Sequence, residues 1–182
     1  MKVITTNIAG LLQLNLDVYK DERGFFMETY TEEKYFQNGI QSKFVQDNYS
    51  HSKKDVLRGL HYQLKKPQGK LIRVIKGTIF DVALDVRLSS PTFGCHYSTL
   101  LDGQEFHQLF LPPGIAHGFC VLSDCVDFEY KCTDYYNPGD EAGILWNDPE
   151  LGINWPVKNP IVSDRDQGFS CLSQTPIERL PK

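Results

Sequence analysis

The sequence predicts an all-β fold, most simply an antiparallel jelly roll with a few short helices. Short apolar segments broken by Gly, Pro, Asp and Asn recur along the chain, and helical signals are few. Aromatic residues, which favour strands, are frequent, with 11 Phe, 9 Tyr and 2 Trp. With 182 residues, of which 41% are hydrophobic, the chain has the length and composition expected of one globular domain spanning 1–182.

The individual elements are predicted from local patterns. The predicted strands are 11–18, 25–30, 43–49, 56–63, 70–76, 78–87, 96–101, 107–111, 117–122 and 126–133. Within 80–86, apolar residues alternate with Asp and Ala, which places the two sets on opposite faces. A helix is predicted over 32–38, because Thr31 can cap it and two glutamates follow. The segment of about 146–182 lies outside the strand pattern, and we expect a tail packed on the barrel and held by Trp146 and Trp155.

Charge and cysteine content exclude several classes of function. The net charge of −4 leaves no broad basic surface for nucleic acid. No apolar run approaches the roughly 18 residues of a membrane span, and the residues after Met1 show no signal-peptide pattern. We therefore expect a cytoplasmic protein. The five cysteines form no Cys-x-x-Cys pair, so reduced thiols are expected instead of a zinc site or disulfides.

The most unusual stretch is Arg58-Gly59-Leu60-His61-Tyr62-Gln63, followed by Gln68-Gly69-Lys70. Polar groups facing the interior of a barrel are unfavourable unless they have partners or a ligand, so this stretch indicates a site. Strict alternation would point Arg58 away from His61. If both side chains enter one pocket, Gly59 must carry a bulge or a strong local twist.

A second motif, the Pro-x-Gly-x-x-His spacing that ends at His117, resembles the second motif of the cupin superfamily. Metal-binding cupins also need a His-x-His pair and a Glu in their first motif. Here that region reads His61-Tyr62-Gln63 and continues into lysines, which is a poor set of ligands for a transition metal. We expect no bound metal and no other cofactor.

Other candidates have ordinary structural interpretations when each is taken alone. A single strand histidine is usually structural. Tyr130 shares a strand face with Phe128, so it could be a core aromatic whose hydroxyl bonds a carbonyl. The run Ser163-Asp164-Arg165-Asp166 is typical of a solvated charged turn.

Together these motifs resemble the dTDP-4-dehydrorhamnose 3,5-epimerase family, and the resemblance covers nearly the whole chain in order. The matching stretches are 21–26, 44–48, 57–63, 68–71, 80–82, 90–94, 116–119, 146–149 and 163–166. The resemblance implies a cupin jelly roll without metal or organic cofactor, and a homodimer in which an N-terminal strand commonly pairs with the partner. It also implies a dTDP-linked 4-keto-6-deoxyhexose as substrate.

The implied reaction removes and returns protons at C3 and C5, next to the C4 ketone, and gives dTDP-4-dehydro-L-rhamnose from dTDP-4-dehydro-6-deoxy-D-glucose. It needs a base, an acid on the opposite face and a cation for the enolate oxygen. His61 suits the base, because imidazole titrates near neutrality. By resemblance, Asp166 orients that ring, Tyr130 is the acid and Lys70 lies at the enolate oxygen.

The resemblance also implies a set of substrate-binding residues. Arg23 and Arg58 would hold the diphosphate, since guanidinium groups match its oxygens. The other binding positions are Phe26, Glu28, Gln46, Asn48, His117, Tyr136, Glu141 and Arg165, with Glu28, Gln46 and Asn48 at the nucleoside and Tyr136 stacked on the base. Family members often carry Lys at the position of Arg165.

Three alternatives remain open at this stage. The first is an epimerase that inverts only C3 or C5, or a 3,4-ketoisomerase on a related sugar. The second is a metal-dependent cupin oxygenase or isomerase that uses His61 and His117. The third is a sugar-nucleotide-binding module without catalysis.

Overall fold

The computed structural model describes residues 1–182, and it consists mainly of short strands. The strands are β1 (Lys2–Thr5), β2 (Leu12–Asn15), β3 (Val18–Asp21), β4 (Gly24–Met27), β5 (Gln46–Lys53), β6 (Leu57–Gln63), β7 (Lys70–Lys76), β8 (Thr78–Asp85), β9 (His96–Asp102), β10 (His107–Leu111), β11 (Ile115–Val121), β12 (Cys125–Cys132) and β13 (Glu141–Gly143). The helices are α1 (Glu32–Gln37) and α2 (Asp164–Gln167), with 3₁₀ turns at Pro138–Asp140, Leu172–Gln174 and Ile177–Arg179. None of these helices has the length and apolar character that crossing a membrane requires.

The strands form two antiparallel sheets and a separate hairpin. One sheet has the order β1-β2-β10-β7-β12-β5 and the other the order β13-β6-β11-β8-β9. The hairpin is formed by β3 and β4. Apart from the consecutive pairs β1–β2 and β8–β9, neighbouring strands in each sheet are distant in sequence, as in a jelly roll, so the predicted all-β antiparallel fold is confirmed.

Apolar side chains fill the space between the two sheets. The six-stranded sheet contributes Ile72 and Phe128 to this interior, and the five-stranded sheet contributes Ile79 and Phe119. The outer face of the five-stranded sheet, including Val82, is covered by residues after β13. Helix α1 covers the outer face of the six-stranded sheet through a third cluster, in which Tyr35 of the helix packs with Leu71 and Phe110 of the sheet. Both faces of each sheet are therefore buried over part of their area.

The predicted alternation in β8 is confirmed. Val82, Leu84 and Val86 pack in the outer cluster, whereas Ala83 lies in the cluster between the sheets. Asp81, on the same face as Ala83, is also buried. Asp85 lies on this face too and is fully buried, so the alternation directs two carboxylates inward, where each requires a partner.

The C-terminal segment packs along the five-stranded sheet and is fixed at several points. Trp155 Nε1 donates to the carbonyl of Trp146 at 2.8 Å, and the two rings meet edge to face. Ile161 forms a parallel bridge with Val56, next to the first residue of β6. Because Ile161 lies three residues before the start of α2, the bridge brings α2 close to β6.

Several element boundaries differ from the prediction. Strands β7 and β10 have the predicted bounds, but the predicted strand 11–18 is divided between β2 and β3. Strand β5 begins and ends later than the predicted 43–49. Strands β1 and β13 were not predicted, since each is only a few residues long.

Candidate active site

A cavity of about 370 Å³ opens between the two sheets. It is lined by most of the predicted site residues, namely Gln46, Asn48, Arg58, His61, Lys70, His117, Tyr130, Tyr136, Glu141 and Arg165. These residues come from both sheets and from the C-terminal segment, and no two of the catalytic candidates share an element. The fold therefore brings together groups that are far apart in the sequence.

Strand β6 carries an extra residue that turns Arg58 into this cavity. His61 lies opposite His117 of β11, but Arg58 lies opposite Phe119, so three steps along β6 match two along β11. Gly59 has a φ of +131°, and a Cβ atom there would lie 2.5 Å from the Cα of Gly118. Only glycine fits this position. The predicted bulge is confirmed, and both Arg58 and His61 line the cavity.

His61 and Asp166 form a hydrogen-bonded pair, with 2.8 Å between Nε2 and Oδ1. The other carboxylate oxygen accepts from the backbone N–H of Gly59 at 3.1 Å. Burial alone would raise the pKa of Asp166, but the bond and charge of His61 and the Gly59 N–H outweigh it and lower the pKa to about 2. The carboxylate is therefore ionised and can only accept, so Nε2 is the donor in this hydrogen bond, and in the neutral form of the ring Nδ1 carries the lone pair.

The segment that carries Asp166 is a short helix, α2, in which Asp164 and Arg165 are exposed but Asp166 is buried. Ser163 caps α2 by accepting from the Asp166 N–H at 3.2 Å, and Asp166 is only 2% exposed. Phe169, after the helix, contacts the His61 ring edge to face at 5.9 Å between centroids. Packing and hydrogen bonds together fix the orientation of the imidazole.

Tyr130 and Lys70 lie on the six-stranded sheet, across the cavity from β6. Burial raises the pKa of Tyr130 to about 12, which keeps its phenol protonated. Lys70 Nζ lies 6.0 Å from the centroid of the Tyr130 ring, and burial lowers the pKa of Lys70. The cavity thus has an imidazole on one wall and a phenol with an ammonium on the other.

His117 lies deeper in the cavity and pairs with Asp81 of β8, with 2.7 Å between His117 Nε2 and Asp81 Oδ2. Its ring stacks on Phe128 at 6.0 Å between centroids and 18° between planes. Asp81 Oδ1 is buried and has no hydrogen-bond partner. Asp81 itself does not line the cavity, so this oxygen lies behind the His117 ring.

Polar side chains form a network at the mouth of the cavity. The Tyr136 hydroxyl donates to Glu141 Oε2 at 2.8 Å, and the same oxygen contacts Arg165 Nη1. Gln46 accepts from the Tyr136 N–H at 2.9 Å and donates to Asn48 at 2.9 Å. These groups can form hydrogen bonds to the polar part of a ligand.

Three predicted binding residues do not line this cavity. The side chain of Arg23 is 85% exposed and bonds Asp21, and Phe26 is 70% exposed. Glu28 pairs with Lys34 at 3.2 Å. Arg23 and Phe26 belong to the β3–β4 hairpin and Glu28 directly follows it, so the chain by itself does not bring these residues to the site.

Some cavity residues were missed by the sequence analysis. Ser50 and Phe128 could have been found by alternation, since Ser50 continues the set of Gln46 and Asn48 and Phe128 lies two residues before Tyr130. Tyr62, Gln63 and Gln68 also line the cavity; they belong to the stretch that indicated a site, although they were given no role of their own. Phe119 also lines the cavity and was not a candidate. No group of three or more His, Cys, Asp or Glu side chains is placed to hold a metal ion.

Comparisons with known proteins agree on one family. The family model described as dTDP-4-dehydrorhamnose 3,5-epimerase matches residues 5–174. A dTDP-4-dehydrorhamnose 3,5-epimerase of Shigella flexneri is 51% identical over 91% of this chain and 93% of its own length. One from Methanothermobacter thermautotrophicus is 46% identical over 97% of both chains.

A solved structure gives the same result. The crystal structure of a dTDP-6-deoxy-D-glucose-3,5-epimerase from Legionella pneumophila, in complex with dTDP-4-keto-L-rhamnose, superposes with a TM-score of 0.96. It shares 46% sequence identity and covers 100% of this chain and 97% of its own. The similarity therefore extends over the whole fold and is not limited to a few motifs.

Proposed function

The chain belongs to the dTDP-4-dehydrorhamnose 3,5-epimerase family, and we propose that it converts dTDP-4-dehydro-6-deoxy-D-glucose to dTDP-4-dehydro-L-rhamnose. The observation that carries the mechanism is the placement of His61 and Tyr130 on opposite sheets around one cavity. Inversion of a carbon requires a proton to leave from one face of the ring and another to arrive on the opposite face. An imidazole and a phenol on opposite walls meet that requirement.

In this mechanism Nδ1 of His61 removes the proton. The ionised Asp166 accepts from Nε2, fixes the tautomer and stabilises the imidazolium that forms. Removal of hydrogen from C3 or C5 leaves an enolate, because both carbons adjoin the C4 ketone. Lys70 lines the cavity and, in its protonated form, supplies the positive charge for the enolate oxygen.

Tyr130 returns a proton on the opposite face. Its raised pKa keeps the hydroxyl protonated at neutral pH, so it is available as a donor. Arg58 is the cation in position for the diphosphate, and Gln46, Asn48 and Tyr136 lie together at the mouth for the nucleoside. No step of this scheme requires a metal or an organic cofactor.

We further infer a homodimer in which Arg23, Phe26 and Glu28 serve the cavity of the partner. The support is their position: the β3–β4 hairpin is exposed and makes no sheet pairing with the rest of the chain. Light scattering of the purified protein should then give the mass of two chains. Arg23→Ala would then raise KM for the dTDP-sugar, although Arg23 lies outside the cavity of its own chain. A cytoplasmic location stays a prediction.

The test of the reaction counts labelled carbons. The purified protein is incubated with dTDP-4-keto-6-deoxyglucose in deuterated water, and deuterium at C3 and C5 is measured by NMR. Label at both carbons supports the 3,5-epimerase. Label at one carbon identifies a single-carbon epimerase, and no label with tight nucleotide-sugar binding identifies a binding module.

A further inference from the structure

Arg165 bridges the mouth of the cavity and the His61–Asp166 pair. Its Nε lies 3.3 Å from Asp166 Oδ1, the same oxygen that accepts from His61. Its Nη1 contacts Glu141, and its Nη2 lies 3.5 Å from His61 Nε2. Three nitrogens of one guanidinium therefore face three different side chains.

The contact between Arg165 and His61 is a contact between two donors. Because Asp166 is ionised, His61 Nε2 donates its hydrogen to the carboxylate and cannot accept from Arg165. A guanidinium next to an imidazole opposes the gain of a second positive charge by the ring. Arg165 also shares the carboxylate that would stabilise that charge.

We propose that Arg165 is a positioning residue that competes with His61 for the Asp166 carboxylate and thereby limits how readily the catalytic imidazole becomes protonated. This role rests on the proposed function and goes beyond contact with substrate. Glu141 moderates the effect, because it holds Nη1 and draws the guanidinium toward the mouth.

The geometry explains why arginine and lysine differ at this position. A lysine has one nitrogen, so it can reach Asp166 or Glu141 but cannot hold both in the arrangement seen here. It would keep the positive charge near the pair and lose the bridge to the mouth. In a lysine variant the protonation of His61 should therefore change little, whereas the affinity for substrate should fall.

Other charged and titratable groups also face His61. Glu141 lies on β13, which pairs with β6, and His117 with its partner Asp81 lies across β11 and β8. The remaining groups that line the cavity are Arg58, Lys70, Tyr130 and Tyr136. All of them are unchanged in an Arg165 variant, so the variant isolates the contribution of this one cation.

The test measures kcat/KM as a function of pH. The acid limb of this profile, where kcat/KM falls as the pH is lowered, reports protonation of the essential base in the free enzyme. In R165Q this limb is expected to move to higher pH by about one unit, as for the loss of a charge near a titrating group. R165K keeps the cation, so its limb should stay close to that of wild type while KM rises. E141Q should shift the limb in the opposite direction, because the guanidinium then contacts only Asp166.

A parallel measurement does not depend on activity. The titration of the His61 ring is followed by NMR in the ligand-free protein, with His61→Ala used to assign the signal. Lys158→Gln, which removes one exposed positive charge from the same C-terminal segment, is the control. If R165Q leaves the titration unchanged, or if K158Q shifts it equally, the proposal is wrong. An inactive wild-type protein would overturn the proposed function, yet the ring titration would still test Arg165.

Discussion

The two histidine–aspartate pairs of the cavity have similar hydrogen bonds but are built differently. His117 and Asp81 lie on adjacent strands of one sheet, and only 7% of the His117 side chain is exposed. His61 lies on a strand, but Asp166 lies on a short helix in the C-terminal segment, and 20% of the His61 side chain is exposed. The first pair forms with the sheet, whereas the second exists only when the C-terminal segment is docked.

The two carboxylates also differ in how they are satisfied. Both oxygens of Asp166 accept hydrogen bonds, from His61 and from the Gly59 N–H. Asp81 has one oxygen bonded to His117 and one without a partner. The pair completed by the C-terminal segment is therefore the one in which both carboxylate oxygens are held in place, as expected of the group that orients a catalytic base.

The largest expected effect separates these pairs directly. His61→Ala should lower kcat by about two to four orders of magnitude, the range for loss of general base catalysis. Turnover is measured by deuterium incorporation into the dTDP-sugar. His51→Ala is the matched control, since His51 also pairs with an aspartate, Asp127, but on the exposed surface. Near-normal turnover in His61→Ala would show that His61 is not the base and would point to the His117–Asp81 pair instead.

Tyr130→Phe tests the opposite wall with a change of one oxygen. The ring can keep its contact with Phe128, at 5.7 Å between centroids, so the fold should be retained. Loss of the donor is expected to reduce turnover by about two orders of magnitude. The assay follows product formation, and the melting temperature serves as the control. A variant with wild-type turnover would show that another group returns the proton.

The comparison also shows what could be predicted from the sequence. A short run of strand-favouring apolar residues between turn residues is a local signal, so β7 and β10 were predicted with the correct bounds. Strand β5 is a sheet edge that pairs only with β12, and many of its residues are polar. Without an apolar stripe its position along the chain was misjudged. The break between β2 and β3 was missed because the alternation continues through Leu16 and Asp17.

The site, like the fold, has features that local sequence patterns predicted and features that they did not. Local reasoning predicted the bulge at Gly59, because alternation and a shared pocket could not otherwise be reconciled. Asp166 lies 105 positions from His61 in the chain, and no local pattern links them. Only the family resemblance identified that partner. The resemblance also named Arg23, Phe26 and Glu28, which lie outside the cavity of this chain.

Asp166→Asn tests how much the completed pair stabilises the fold. The pKa of Asp166 falls from 3.8 to about 2 on folding. A carboxyl with a lowered pKa contributes stability that is present above pH 3.8 and is lost as the pH falls through about 2. The contribution at neutral pH is up to about 2 kcal/mol.

Urea unfolding of wild type and D166N between pH 2 and pH 7 measures this difference. The gap in the free energy of unfolding should be largest near neutrality and should close toward pH 2. Asp127→Asn is the control, because the pKa of Asp127 is also lowered, chiefly by a bond from His51, but on the surface. A gap that stays constant with pH would show that D166N acts through packing and not through charge.

The smallest expected effect concerns the docking of the C-terminal segment. Trp155→Phe removes the hydrogen bond to the Trp146 carbonyl, which is worth about 1 kcal/mol. If the segment opens locally, the amides that depend on it should exchange about five times faster. These are Leu57 N–H, bonded to Ile161, and Gly59 N–H, bonded to Asp166.

Amides paired between β8 and β11 should exchange at the wild-type rate, because the His117–Asp81 pair belongs to the sheet. Equal acceleration in both sets would mean that the segment and the sheet open together, and the two pairs would then share one unit of stability.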